Sequence, residues 1–195
     1  MITSSSAADD ASDSSPVWVE SLGGPLIVVP VSALASWGGS TESGLIAGAG
    51  TASDDYDRAC AVDDLAGVIP LDEKGAQALV LADEPATTCY VPQHRTFLRW
   101  LAADSEAGLR AAADTVLADP DTVWEEGSTW ATDGPAVLMD SAEAGSDLGV
   151  EYPGGGMPAA VSVSLPAGRW RVRATHTEAD GENWVGLVQL LAAES

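Results

Sequence analysis

Apolar residues fall in short runs along this chain, separated by Gly, Pro, Asp and Ser. That spacing is typical of strands joined by turns. The first run lies between Trp18 and Gly39. Residues 17–20 read as a short strand, and Ser21-Leu22-Gly23-Gly24 as a turn that uses glycine's freedom at positive φ. Leu26 to Val29, bounded by Pro25 and Pro30, read as a buried strand. Ser32 is placed to cap one helical turn ending at Trp37, which Gly38-Gly39 stops. This run holds no nucleophile, base or metal ligand and reads as folding core.

The later pattern predicts two hairpins in succession. Residues 65–71 and 76–81 flank Asp72-Glu73-Lys74-Gly75, and residues 86–91 and 96–102 flank Pro92-Gln93-His94-Arg95. In the last of these strands Phe97, Arg99 and Leu101 share one face, with Leu98 and Trp100 on the other. Residues 105–118 form the one convincing helix. Asp104 or Ser105 caps it, Leu109, Ala112, Ala113, Val116 and Leu117 make its apolar stripe, and Asp119-Pro120 stops it. Residues 122–124 and 129–131 suggest a further hairpin around Glu125-Glu126-Gly127-Ser128, and residues 136–139 a short strand. Strands at 159–165, 169–177 and 184–191 follow a glycine-rich linker and suggest a second meander. The predicted class is α+β: mostly antiparallel sheets in two meanders, with one main helix packed on a sheet.

Charge changes the picture more than composition does. Thirty acids stand against eight Lys+Arg, a formal net charge of −22. Such acidity argues against nucleic acid and anionic membranes as ligands and favours a basic partner. Residues 54–84 carry nine acids against Arg58 and Lys74, and residues 104–147 eleven against Arg110. Residues 1–15, made of Ser, Ala and Asp with little that is apolar, are expected to be a disordered acidic tail without the features of a secretory signal. Residues 16–195 are expected to form one domain. Cys60 and Cys89 are expected to be free thiols.

Candidate chemistry is sparse. Gly48-Ala49-Gly50 echoes a dinucleotide fingerprint but lacks its third glycine and its strand–turn–helix frame. Asp54, Asp55 and Asp57 lack calcium-loop spacing and read as a solvated or Arg58-paired loop. Arg169, Arg171 and Arg173 share one strand face, where acids of neighbouring strands can meet them. There is no Gly-x-Ser-x-Gly, and only His94 and His176 could serve as a base. Of seven Trp, those at 18, 100, 170 and 184 lie on predicted strands and read as core. Trp37, Trp124 and Trp130 lie near turns, where core packing competes with a role as partner anchors.

Trp-Val-Glu-Ser-Leu-Gly-Gly-Pro-Leu from Trp18, with Ser-Ala-Leu-Ala-Ser-Trp-Gly-Gly from Ser32, resembles the opening of a family of predicted immunity proteins of bacterial polymorphic toxin systems, the family numbered twenty-one. Asp55-Tyr56-Asp57-Arg58-Ala59-Cys60, Gly67-Val68-Ile69-Pro70 and Ala82-Asp83-Glu84-Pro85 are similar to its next blocks. The resemblance is clear from Trp18 to Trp100 and weaker beyond. It implies a cytoplasmic protein that binds and neutralises a cognate toxin, and it carries over no binding residues. Combined with the charge, the reading is a non-catalytic immunity protein, monomeric or in a 1:1 complex. It has no cofactor or metal, and its acidic surface mimics the anionic substrate of a basic toxin. The candidate contact residues are Asp54, Asp55, Asp57, Glu125, Glu126, Trp37, Trp124 and Trp130. The competing reading is a small acidic hydrolase using His94 or His176.

Overall fold

The computed structural model describes residues 16–193, so the tail expected at residues 1–15 lies outside the described residues. In chain order the elements are β1 (Trp18–Val19), β2 (Leu26–Pro30), a 3-10 turn (Val31–Ser36), α1 (Asp55–Cys60), β3 (Ala66–Pro70), β4 (Gln77–Leu81), β5 (Thr88–Val91) and β6 (Thr96–Ala102). They continue with α2 (Glu106–Ala118), β7 (Glu125–Thr132), β8 (Ala136–Asp140), β9 (Ala160–Val163), β10 (Gly168–Glu178) and β11 (Trp184–Ala192).

The strands form two sheets, one of six strands in the order β1-β5-β6-β11-β10-β7 and one of five in the order β3-β4-β2-β8-β9. Their ladders are antiparallel. Alternation along each strand gives each sheet two apolar faces. Leu26, Val28, Leu79, Leu81 and Leu138 of the five-stranded sheet meet Phe97, Trp130, Trp170, Val172 and Val188 of the other in a shared core. On the outer face of the five-stranded sheet, Ile27, Val29 and Val80 pack under Ala33, Trp37 and Ala59, from the 3-10 turn, its end and α1. On the outer face of the six-stranded sheet, Cys89, Leu98, Val185 and Leu187 pack under Leu109, Ala112, Ala113 and Val116 of α2. Helix α2 starts where expected, because the Ser105 hydroxyl accepts the Gly108 amide at 3.1 Å.

The α+β class, the antiparallel sheets and the single main helix are as read from the pattern; the grouping of hairpins is not. Hairpin β3–β4 belongs to one sheet and β5–β6 to the other, and β9 leaves the expected second meander to pair with β8. Local alternation defines a hairpin, but which sheet it joins depends on partners far away in sequence. The expected hairpin at residues 122–131 is a single strand, β7, which pairs with β10 on one side only. An edge strand tolerates the polar Glu-Glu-Gly-Ser stretch, and its register shift opposite residues 171–173 is a bulge. Residues 55–60, expected to be loop, are the helix α1. Trp170 is core, whereas Trp18 and Trp100 are half-buried beneath α2, edge to face at 5.4 Å. Trp184, expected in the core, is 47% exposed at the start of β11.

Candidate partner-binding face

The three aspartates at the start of α1 are turned inward. Asp54 caps the helix: its Oδ1 accepts the Asp57 amide at 2.9 Å, and Asp57 Oδ2 accepts the Asp54 amide at 3.0 Å. This reciprocal pair is a capping box with Asp in the place of the usual Glu. Asp57 also accepts the Leu45 and Ile46 amides at 2.7 and 2.8 Å, and Asp54 Oδ2 the Thr41 amide at 2.7 Å. Asp55 accepts the Gly38 amide at 2.7 Å and pairs with Arg58 Nη1 at 2.6 Å. The other arm of Arg58 donates to the Pro70 carbonyl. These carboxylates tie the 41–53 loop to α1.

Asp57 is buried, and donation from the Leu45 amide, then from those of Asp54 and Ile46, holds its carboxyl below the usual range. Asp57→Asn should therefore release the loop at neutral pH, read as faster hydrogen exchange and proteolysis across residues 41–53. A carboxyl lowered on folding stabilises above the ordinary aspartate value of 3.8, and that contribution is lost as pH falls through its lower folded value. The difference between wild type and variant should shrink accordingly in acid.

Trp37 and Trp130 are 1% and 0% exposed. Trp37 Nε1 donates to the Ser141 carbonyl at 3.1 Å and Trp130 Nε1 to the Gln77 carbonyl at 3.0 Å. Both rings lie in cores and present no surface to a partner. Trp124 is half-buried, with the Arg173 guanidinium 4.1 Å from its ring centroid. Glu125 and Glu126 are exposed; Glu125 Oε1 accepts the Leu65 amide at 3.1 Å and Glu126 Oε2 meets Arg171 at 3.2 Å. The three arginines of β10 do share a face. Arg171 is paired with Glu126, and Arg173 donates twice to Gln189 Oε1, at 2.9 and 2.6 Å.

Beside Glu125 lies a groove of about 470 Å³. Its ladder to β10 begins with Glu125 opposite Ala174, so residues 175–178 run on past the end of β7. These residues form one side of the groove, Val116 and Asp119 at the end of α2 another, and Asp121, Val123 and Leu65 the rim. Asp119, Asp121, Glu125 and Glu178 line it, and no Lys or Arg does. The last turn of α2 carries no basic residue either, so the partial negative charge of its carbonyl end is uncompensated there. None of Asp119, Asp121 and Glu178 stands out in sequence, because the groove is made by where β7 stops against β10.

His176 borders this groove and belongs to a buried network. Arg99, 0% exposed, donates to the Ala82 carbonyl at 2.5 Å and to the Glu84 carbonyl, and its Nη1 lies 3.3 Å from His176 Nε2. His176 Nδ1 is 2.9 Å from Asp83 Oδ2. With Nε2 accepting from Arg99, the ring proton sits on Nδ1 and is donated to Asp83. Burial, and then the Arg99 charge, lower the His176 pKa, which keeps the ring neutral at pH 7. Burial also brings Arg99 down to about 10, still cationic at neutral pH. Gly186 lies between Arg99 and His176 in register; a Cβ there would come within 3.0 Å of Arg99 Cβ and 3.1 Å of His176 Nε2. The bare backbone of β11 lets the two side chains meet above it. The network pins the crossover at residues 82–84, which carries the chain from one sheet to the other.

This arrangement leaves His176 no free nitrogen with which to act as a base. His94 is 3.6 Å from Asp114 at the surface. Burial raises both thiols, Cys89 to about 12, and Cys60 hydrogen-bonds to Tyr56 rather than to a histidine. No nucleophile–base pair of the kind a hydrolase needs is assembled around these groups. No helix among the described residues is long and apolar enough to cross a membrane.

Comparison with curated proteins and with solved structures finds no significant match. A family profile described as Immunity protein 21 does match, over residues 17–183, a span that runs from β1 to β10 and includes α1 and α2, with β11 just beyond it. The chain thus belongs to the immunity protein 21 family.

Proposed function

We propose that the protein neutralises a basic toxin domain in the cytoplasm by direct, non-catalytic 1:1 association, its acidic surface standing in for the toxin's anionic substrate. The observation that carries this reading is membership of an immunity family by a chain with a net charge of −22. Of the candidate contacts, Glu125, Glu126 and Trp124 lie together at the start of β7, beside the acidic groove, and are the residues we assign to the interface. Asp54 and Asp55 act on the partner through the field of their charge. Asp57, Trp37 and Trp130 act from inside, by holding the loop and the cores.

The test is co-purification from the native host with the product of the neighbouring gene, followed by stopped-flow association of the recovered partner at increasing salt. Steering by −22 charges is screened as the Debye length shortens, to about 8 Å at physiological ionic strength. The association rate should fall by roughly ten-fold or more between low and high salt, with dissociation changing less. A salt-independent association rate would remove charge mimicry and leave an apolar interface.

A further inference from the structure

The groove beside Glu125 offers backbone as well as charge. The Ala193 amide donates to the Arg169 carbonyl and the Ala179 amide to the Asn183 carbonyl, both at 2.9 Å. Odd-numbered residues of β10 therefore turn their amides and carbonyls towards β11. Antiparallel alternation turns those of His176 and Glu178 the other way, onto the edge that β7 has already left. An uncovered edge of this kind is a template for another strand.

Three further features say what sort of strand fits. The groove's charged lining is wholly acidic, with Asp119, Asp121, Glu125 and Glu178, and the carbonyl end of α2 adds to it. His176, held neutral, contributes no opposing charge. Thr175, only 5% exposed, lines the groove and its hydroxyl has no hydrogen-bond partner among the described residues. That hydroxyl opens onto the groove and can pair with a polar group placed there. Leu65 and Ala174 add apolar surface on the side that Glu125 and Glu178 share.

We propose that this groove receives an extended segment of the toxin in which arginine or lysine alternates with small apolar residues, added to β10 as a strand at His176 and Glu178. The inference rests on the neutralisation reading above and names the site and the partner's chemistry. Alternate side chains of an added strand point to opposite sides, so one row meets Asp119 and Asp121 on the α2 side while the other meets Leu65, Ala174 and Glu178.

The probes are an acetylated, amidated (Arg-Val)4 peptide, a (Glu-Val)4 control and the toxin partner recovered in the co-purification above. Binding of (Arg-Val)4 or of the toxin should slow hydrogen exchange at the His176 and Glu178 amides by ten-fold or more, which a purely electrostatic contact would not do. (Glu-Val)4 should leave exchange unchanged. Asp121→Asn with Glu178→Gln, two exposed positions outside the cores, should weaken both (Arg-Val)4 and the toxin by about ten-fold at low salt. If exchange at His176 and Glu178 stays unchanged in the bound toxin complex, or the double variant binds toxin as wild type does, the groove proposal is wrong and neutralisation by direct binding stands. If the toxin binds neither protein, the neutralisation reading falls, and the groove is judged on exchange and affinity with (Arg-Val)4 alone.

Discussion

Trp130→Ala should lower the unfolding free energy by about 3–5 kcal/mol, although Trp130 sits on an edge strand of mostly polar sequence. The indole is fully buried between the sheets, opposite Trp170 in register. Its Nε1 reaches the Gln77 carbonyl at the start of β4, and the Gln77 side chain returns to the Ala131 amide at 3.0 Å. The residue thus joins β7 of one sheet to β4 of the other. Truncation would leave a cavity and an unsatisfied carbonyl. For a domain of this size the midpoint should drop by roughly 6–20 °C, read by calorimetry or urea titration. Trp130→Phe, which keeps most of the volume, should lose much less. Toxin affinity measured well below the midpoint should change less than two-fold in both variants. A large affinity loss in the still-folded Phe variant would restore Trp130 as a contact residue.

The second large effect is expected from Arg99→Met. The guanidinium is wholly buried and its acceptors are two carbonyls and a histidine nitrogen. Removing it strands those acceptors at the crossover between the sheets, a loss of about 3–5 kcal/mol. The variant also has a signature in pH. In the wild type the His176 pKa is lowered by burial and then by Arg99. The stability it contributes is therefore full above the ordinary histidine value of 6.5 and is lost as pH falls through its lower folded value. Without Arg99 the imidazole should titrate nearer 6.5, and the stability profile should flatten below that pH. The His176 ring resonances in an NMR titration report the shift directly. Gly186→Ala, which pushes a methyl group between the same two side chains, should cost about 1–3 kcal/mol.

How far the sequence reaches depends on the range of the interaction being read. Helix α2 was legible because its cap, stripe and stop lie within fifteen or so residues. Alternation placed Phe97 and Arg99 on one face, and both are buried on the side of the shared core. It gave no hint that Arg99 would grip the 82–84 crossover, since that contact needs two sheets. Trp37 and Trp130 take the core-packing alternative although both lie near turns: one folds back over the outer sheet face, and the other belongs to a longer strand than its neighbours suggested. The acidic start of α1 did carry a signal, Asp54-x-x-Asp57, which is a capping pattern set in an otherwise polar window. The groove was illegible in principle, because it is defined by a register between residues almost fifty positions apart.

The position of β6 bears on how quickly the fold can be completed. In the six-stranded sheet β6 pairs with β5, made just before it, and with β11, which begins about 80 residues later. During synthesis at about 5–20 residues per second, one side of β6 waits roughly 4–16 s for its neighbour. Through that interval the nascent chain holds an apolar strand with an open ladder, and the shared core cannot close. Native structure in this sheet is therefore a late event dominated by distant pairings, which fold slowly. In the neutralising role proposed above, a cell is shielded by the pool already folded, not by molecules whose β11 is still to be made.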